Sequence, residues 1–288
     1  MKIKWNDQAK QHMELRTREG VPYLAYPEFE QMSDLLHGFS TREGGVSQGV
    51  LSTMNLSFSR GDKEENVQEN FRRMGKALGF TPEQVVCSVQ THTTNVRVVT
   101  EADMGKGLVK PQDYGDIDGL VTNIPGIVLA TFYADCVPLF LVDPVKKAIG
   151  LSHSGWRGTV GKMGKATIEV MTREYGTNPG DVIAAIGPSI CQDCYEVSKD
   201  VADEFTAAFT EEKSKMLLKE HGEGKYLLDL WKANELVFLE AGVKKEQILL
   251  PGICTCCNPS LLFSHRASKG QRGNLAAFLG IKKEKSPL

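Results

Sequence analysis

The chain has 288 residues, 41% of them hydrophobic, with seven cysteines and a net charge of −2. It can bury a large core, and its balanced charge argues against a general nucleic-acid binder or an acidic tail. The opening Met-Lys-Ile-Lys-Trp-Asn-Asp-Gln has no apolar signal-peptide run, and the longest apolar run, Gly126 to Ala134, is too short to span a bilayer. An odd number of cysteines without an export signal predicts reduced thiols in the cytoplasm.

Residues 1–20 read as a polar leader, frayed or at an edge. Gly38 to Gly49, after Leu35-Leu36-His37, reads as a polar loop. It is either a solvated connection, which pattern alone favours, or an anion loop built from Arg42 and the amides near Gly44-Gly45. Val67, Phe71, Met74 and Leu78 recur at helical spacing, and Gly79 stops that helix. Thr81-Pro82-Glu83-Gln84 has the form of a capping box with proline at the first helical position. Val85 to Gln90 predicts a strand and Val96 to Val99 continues extended. The loop Gly105 to Asp116 leads through Asp116-Ile117-Asp118-Gly119 into another strand.

Ile127 to Tyr133 and Val137 to Val142 are apolar enough to be strands buried on both faces. Ala148 to His153 returns as a shorter strand. Thr159 to Tyr175 reads as a helix broken by Gly176, and Val182 to Ile186 as a buried strand. Val197 to Phe209 reads as a helix, Glu211 to Gly224 as charged and exposed. Asp229 caps a helix through Ala241, which Gly242 ends. Ile248 to Leu250 predicts a strand, and Cys254 to Gly273 a polar, loop-rich segment. Asn274 to Leu279 predicts a last short helix before a basic tail, 281–288. Strands and helices alternate without a βαβ repeat, a linker or an internal repeat. The expected architecture is therefore one mixed-sheet α/β (α+β) domain over residues 1–288.

The turn Asp143-Pro144-Val145-Lys146 has type I chemistry and serves as a ruler. If residues 143 and 146 close it, Cys136 faces His153 across an antiparallel hairpin with Cβ atoms about 4.5–5.5 Å apart. A one-residue slip through a bulge at Lys147 would put them on opposite faces. With His92, the pair supplies one thiolate and two imidazoles, a donor set suited to Zn²⁺ or copper. Three protein ligands leave a fourth position open, the plan of a catalytic zinc site. The plainer alternative is a buried cysteine with two hydrogen-bonded histidines. Polar groups interrupting an apolar hairpin favour a task, because burying them unpaired costs several kcal/mol.

Two further sets stand out. Cys191-Gln-Asp-Cys194 with Cys254-Thr-Cys256-Cys257 is either a structural zinc site or a group of small buried thiols, and the pattern favours the thiols. Arg42, Arg157, Arg266 and Arg272 lie in polar segments and include candidates for binding an anion. Gly150-Leu-Ser152-His-Ser154 is not a G-x-S-x-G elbow, and no H-x-E with P-C-x-x-C marks a zinc deaminase of the usual kind.

Phe39-Ser-Thr-Arg-Glu-Gly-Gly-Val-Ser47, Gln90-Thr-His92, Asp116-Ile-Asp-Gly119, Ala134-Asp-Cys-Val-Pro138, His153-Ser-Gly-Trp-Arg-Gly158, Gly187-Pro-Ser-Ile190 and Cys194-Tyr-Glu-Val197 follow one another in an order that resembles the YfiH-like laccase-domain family. The resemblance runs from about Phe39 to Ala276. Thr93 departs from it, standing where many members have glycine. The resemblance implies a layered α/β/β/α sandwich with mixed sheets, similar to deamidating toxins. It implies a Zn²⁺ held by His92, Cys136 and His153, with Cu²⁺ as the older alternative. The implied activity is phosphorolysis of adenosine, inosine, guanosine and methylthioadenosine together with adenosine deamination, and an older label is polyphenol oxidase.

On this reading the catalytic residues are His92, Cys136, His153 and Asp135, with Asp135 moving a proton, and Arg42 and Arg157 hold phosphate. The partners are purine nucleosides and phosphate, with neither nucleic acid nor membrane, and the protein is a monomer or weak homodimer. Competing readings are a copper phenol oxidase, which six histidines poorly supply, a metal-free hydrolase with Cys136 as nucleophile and His153 as base, and a non-catalytic binding module.

Overall fold

Period-2 alternation along strands that are apolar on both faces sets the layering. In the segment Val137–Asp143, Phe140 and Val142 enter one hydrophobic cluster while Leu139 and Leu141 enter another. In Leu275–Ile281, Leu275, Ala277 and Leu279 face that first cluster, and Ala276 and Phe278 face a third. A strand with two apolar faces needs a cover on each side, which a two-layer fold cannot give it.

The computed structural model describes residues 3–6 and 13–283. In chain order the strands are β1 (Glu14–Arg18), β2 (Val21–Ala25), β3 (Leu35–Ser40), β4 (Val85–Cys87), β5 (Val96–Val98), β6 (Gly119–Thr122), β7 (Val128–Tyr133), β8 (Val137–Asp143), β9 (Ala148–Ser154), β10 (Ile183–Ile186), β11 (Glu196–Ser198), β12 (Leu218–Glu220), β13 (Lys225–Leu228), β14 (Ile248–Leu249) and β15 (Leu275–Ile281). The helices are α1 (Pro27–Glu30), α2 (Glu64–Leu78), α3 (Trp156–Val160), α4 (Met163–Tyr175), α5 (Lys199–Ala208), α6 (Glu211–Leu217), α7 (Leu230–Glu240) and α8 (His265–Ser268). Among the described residues there are two six-stranded sheets, ordered β1-β2-β3-β15-β7-β4 and β14-β10-β8-β9-β6-β5, and a small sheet β11-β13-β12. The large sheets are mixed: β4 runs parallel to β7, β5 to β6 and β10 to β14, and the other pairs are antiparallel.

The two large sheets pack face to face through Phe39, Leu129, Leu275, Phe140 and Leu151. Helix α2 covers the outer face of the first sheet with Val67, Phe71 and Met74. Helices α4 and α7 cover the outer face of the second with Met163, Ile168, Val237 and Phe238. The expected α/β/β/α sandwich is the observed one. Each fully buried Leu or Phe in these layers contributes roughly 1.5–3 kcal/mol.

Several local expectations change. Asn274 to Leu279 is not a helix: Leu275 to Leu279 belong to β15, a central strand between β3 and β7, and Asn274 precedes it. Its seven consecutive buried residues carry no polar face, so tertiary pairing overrides the helix propensity of Leu and Ala. The helix expected over 159–175 begins earlier and divides into α3 and α4 at Gly161-Lys162, where Lys162 is left-handed (φ 63°). Val197 belongs to β11, and α5 starts only at Lys199. The exposed stretch 211–224 contains α6 and β12, whose junction buries Leu217. The strand expected from Val85 to Gln90 stops at Cys87, and β3 extends into the expected loop as far as Ser40. Of the expected leader, residues 14–18 form edge strand β1, and residues 1, 2 and 7–12 lie outside the described residues. Ile281, first residue of the expected tail, completes β15, and 284–288 lie outside the described residues.

His37 on β3 is buried, and its Nε2 accepts the Tyr26 N–H at 2.9 Å. Burial holds its pKa down to about 4, against an opposing pull from Glu30, while Lys282 adds to the depression. A folded-state value below the unfolded one means that the unfolded chain protonates first. The contribution is therefore complete above about pH 6.5 and is lost as pH falls toward 4, by up to roughly 3 kcal/mol. His37→Gln should flatten the fall in urea-unfolding stability between pH 6.5 and 4. An unchanged slope would show that this histidine does not carry it.

Candidate functional site

Three residues, Ala134-Asp135-Cys136, carry the chain from β7 in one large sheet to β8 in the other. Asp135 makes the corner in the left-handed region, φ 91°. Both its carboxylate oxygens are engaged: Oδ1 accepts Thr255 Oγ1–H at 2.6 Å and Oδ2 accepts the Arg266 N–H at 2.7 Å. Its carbonyl accepts the Ile190 N–H at 3.0 Å. The corner is thus held from three sides, and Cys136 follows it.

The hairpin register differs from that read from the turn. Asp143 pairs with Ala148 and Pro138 with His153, because Lys147 adopts a left-handed conformation (φ 50°) and joins the loop. Asp143 Oδ1 accepts the N–H groups of Val145 and Lys146 at 2.9 and 3.0 Å, which stabilises the longer turn. The shift is two positions, not one, so it preserves the face. Cys136 lies diagonally from His153 instead of directly across.

His92 comes from the loop after β4, with φ 69°. Its Nε2 lies 3.9 Å from Cys136 Sγ, and its ring centroid lies 4.9 Å from that of His153. One ligand atom from each of His92, Cys136 and His153 falls within 4.8 Å of the others. The structure therefore brings together the three residues expected to converge.

Asp118, fully buried just before β6, organises the group. Its carboxylate accepts the N–H groups of Thr91, His92 and Thr93 at 2.9, 3.2 and 3.0 Å, and its Oδ1 lies 2.7 Å from His153 Nδ1. Its carbonyl accepts the His153 N–H at 2.7 Å. Burial alone would raise its pKa, but the bonds from His153, Thr93 and Thr91 outweigh that and keep it below the ordinary carboxylate value. With Nδ1 engaged by Asp118, His153 has Nε2 free for the site, the carboxylate–histidine arrangement typical of metal ligands.

Burial of Cys136 would also raise its pKa. The positive field of His153 and bonds from both histidines overcome this and lower it to about 6. Burial disfavours charge on His153, but the Cys136 thiolate and Asp118 raise it to about 9. Gly155 completes the cradle: a Cβ there would lie 2.9 Å from His92 Cδ2 and 3.2 Å from Cys136 Sγ. A soft thiolate and two imidazoles, one oriented by a carboxylate, fit Zn²⁺ or copper.

The cluster lies at one wall of a cleft of about 410 Å³, within the usual range of small-molecule sites. Phe58, Arg60, Gln90, Arg272 and Asn274 also line it. Arg272 is half-buried: its Nη1 donates to Asn274 Oδ1 and to the Gly273 carbonyl, its Nε has no hydrogen bond, and no carboxylate among the described residues pairs with it. Burial, then the neighbouring Arg60, bring its pKa down to about 10.

The other expected site residues lie elsewhere. Arg42 donates to the carbonyls of Ser52 and Pro259 at 3.0 and 2.8 Å and stacks over Phe263, outside the cleft lining. Arg157 is exposed over the Trp156 ring, and Asp135 is behind the cleft rather than on its wall. Sequence reasoning missed Asp118, although Asp-Ile-Asp-Gly precedes a strand and a histidine ligand needs a partner for its second nitrogen. Phe58 and Arg60 carried no signal, because their approach to the site is tertiary.

A mixed α/β/β/α sandwich with a Cys-His₂ cluster at the corner between its sheets, opening on a cationic cleft, defines a protein with a small-molecule site capable of holding a soft metal. The family described as multi-copper polyphenol oxidoreductase laccase matches residues 36–282, and the chain belongs to it. It is 36% identical over 253 residues to "Purine nucleoside phosphorylase YlmD" of Bacillus subtilis, covering 86% of this chain and 89% of that one. The protein of the same name from Geobacillus stearothermophilus is 38% identical over 252 residues, covering 86% and 90%. The crystal structure of the Bacillus licheniformis hypothetical protein YfiH superposes with a TM-score of 0.87 at 31% identity, over 93% of this chain and 99% of that one. No helix among the described residues is long and apolar enough to cross a membrane.

Asp118→Asn should destabilise the fold by about 2–4 kcal/mol in urea unfolding. It should also lower the affinity for added Zn²⁺ about 10- to 100-fold. Gly155→Ala should leave urea stability nearly unchanged relative to that loss, yet weaken zinc binding by pushing His92 and Cys136 apart. Zinc affinity equal to that of the unaltered chain would show that the cradle has room to adjust.

Proposed function

We propose that the protein is a zinc-dependent purine nucleoside phosphorylase, with adenosine deamination as a second activity. The observation that carries this reading is the cleft, which has His92, Cys136 and His153 on one wall and the unpaired Arg272 with Arg60 on another. The names of its relatives supply the substrate class.

Phosphorolysis requires an anchored phosphate, a surface for the base, and stabilisation of charge as the glycosidic bond breaks. Arg272 and Arg60 are two cations without carboxylate partners, and a phosphate dianion would relieve both their repulsion and the burial of Arg272. This assigns the phosphate to them in place of Arg42 and Arg157. Phe58 exposes its ring at the cleft and stacks on Phe71 behind it, with centroids 6.4 Å apart. It offers a supported aromatic face for a purine. His92, Cys136 and His153 would hold the Zn²⁺, which when bound would supply a Lewis acid at this wall. Asp118 keeps His153 in the tautomer that such ligation requires. Asp135 acts by positioning Cys136, because Thr255 and Arg266 already occupy its carboxylate.

No carboxylate is among the described residues lining the cleft, so the cleft offers fewer groups for the proton transfers of deamination than for phosphorolysis. A multi-copper oxidase would need more imidazoles. Of the five described histidines, His37 is buried in β3, and His221 and His265 are outside the cleft, which leaves only His92 and His153 together.

Zinc-loaded protein given inosine and phosphate should release hypoxanthine and ribose 1-phosphate, separable by chromatography, and adenosine without phosphate should give inosine more slowly. Absence of hypoxanthine would refute the phosphorylase, while about four coppers per chain with blue colour would favour the oxidase. Arg272→Ala should raise the KM for phosphate about ten- to a hundredfold, with a smaller effect on inosine. Phe58→Ala should do the reverse.

A further inference from the structure

The second cysteine group lies away from the cleft. Cys191 and Cys194 flank a short turn after β10, and Cys254 and Cys257 flank another after β14. A parallel bridge between Ser189 and Cys254, with the Thr255 N–H donating to the Ser189 carbonyl at 3.1 Å, sets the two turns side by side. All four Sγ atoms lie within 4.8 Å of one another, with Cys194 to Cys257 at 3.4 Å and Cys191 to Cys257 at 4.0 Å. Cys191 and Cys254 are buried, and the other two are half-buried.

We propose that Cys191, Cys194, Cys254 and Cys257 bind a single structural Zn²⁺. A zinc–sulfur distance of about 2.3 Å gives a tetrahedron with sulfur–sulfur edges of about 3.8 Å, and the observed separations bracket that value. A cubane iron–sulfur cluster would spread the sulfurs further, since its irons lie between them. The two C-x-x-C turns form opposing knuckles, as in zinc sites built from two short loops. The N–H groups of Cys191 and Cys257 both donate to Cys254 Sγ, at 3.2 and 3.4 Å. Amide donors aimed at a buried sulfur stabilise a thiolate, and four thiolates this close need a cation among them. Arg266, donating to the carbonyls of Cys194 and Glu196 at 3.3 and 2.9 Å, supplies further positive charge beside the cluster.

The proposed ion has a structural task that does not depend on the reaction in the cleft. Ile190 and Thr255, each next to a cysteine of the group, both bond Asp135, the corner residue before Cys136. Tying the knuckles together therefore braces the corner from behind. Cys256 is outside the four and serves as an internal control.

The test is zinc per chain, measured by mass spectrometry on full-length protein purified under reducing conditions. Cys194→Ser/Cys257→Ser should lose one equivalent relative to the unaltered chain. It should lose the same equivalent when His153→Ala is also present, so the count is independent of the cleft. In the unaltered chain, Cys194 and Cys257 should resist alkylation until a chelator is added, while Cys256 reacts throughout. This second measurement needs no variant that must fold. Equal zinc with and without the two substitutions, free alkylation of Cys194 and Cys257 in zinc-loaded protein, a Cys194–Cys257 disulfide, or one equivalent of iron in place of zinc would each overturn the proposal.

Discussion

One buried carboxylate holds the site together. Asp118 gathers three successive backbone amides of the His92 loop and the Nδ1 side of His153, while its own carbonyl takes the His153 amide. Each bond satisfies a group that burial would otherwise penalise. Together they bring two imidazoles from distant parts of the chain to one place. Without this residue the His92 loop would lose the acceptor for three amides, and His153 the partner of its Nδ1.

The third member of the cluster depends on a different constraint, the short passage between the two large sheets. Three residues cannot cross that distance without a sharp corner, and Asp135 makes it at φ 91°, with its carboxylate spent on holding the turn. The acidic residue next to Cys136 is thus part of the scaffold. The same logic applies to the arginines. Arg42, in a glycine-rich loop, satisfies carbonyls of that loop and its neighbour. Arg272, in a less conspicuous setting, is the cation that burial leaves without a counter-charge. A half-buried cation with no carboxylate partner among the described residues is a better pointer to an anion site than a glycine-rich loop, because the cost of desolvating it must be offset by something.

The layering also explains why the cleft lies where it does. Strand β7 of one large sheet passes into β8 of the other at this corner, and the segments after β4 and before β15 bring Gln90, Arg272 and Asn274 to the cleft. The turn of Phe58 and Arg60 precedes α2, which covers the first sheet. The metal-capable wall, the cationic wall and the aromatic face therefore belong to different parts of the chain and meet only because the sandwich closes.

Much of this is legible in the sequence. Continuous apolar runs mark β7 and β8, a shorter one marks β9, helical spacing marks α2, and capping marks α7, since these signals are local and their energies act within a few residues. The pairing of a thiol with two imidazoles was legible because a polar group in an apolar strand needs a reason. The hairpin register was misjudged by two positions, and the side chains still met because an even shift keeps the face. What the sequence by itself determined, then, was the periodicity and the chemistry of the polar interruptions. Only the tertiary structure decided that Leu275–Ile281 is a central strand, that Asp118 is the organiser, that Asp135 is scaffold, and which arginines reach the cleft. Each of those depends on partners more than a dozen residues away, and a residue's neighbours in sequence carry no record of the charge, cover or hydrogen bond that a distant segment will supply.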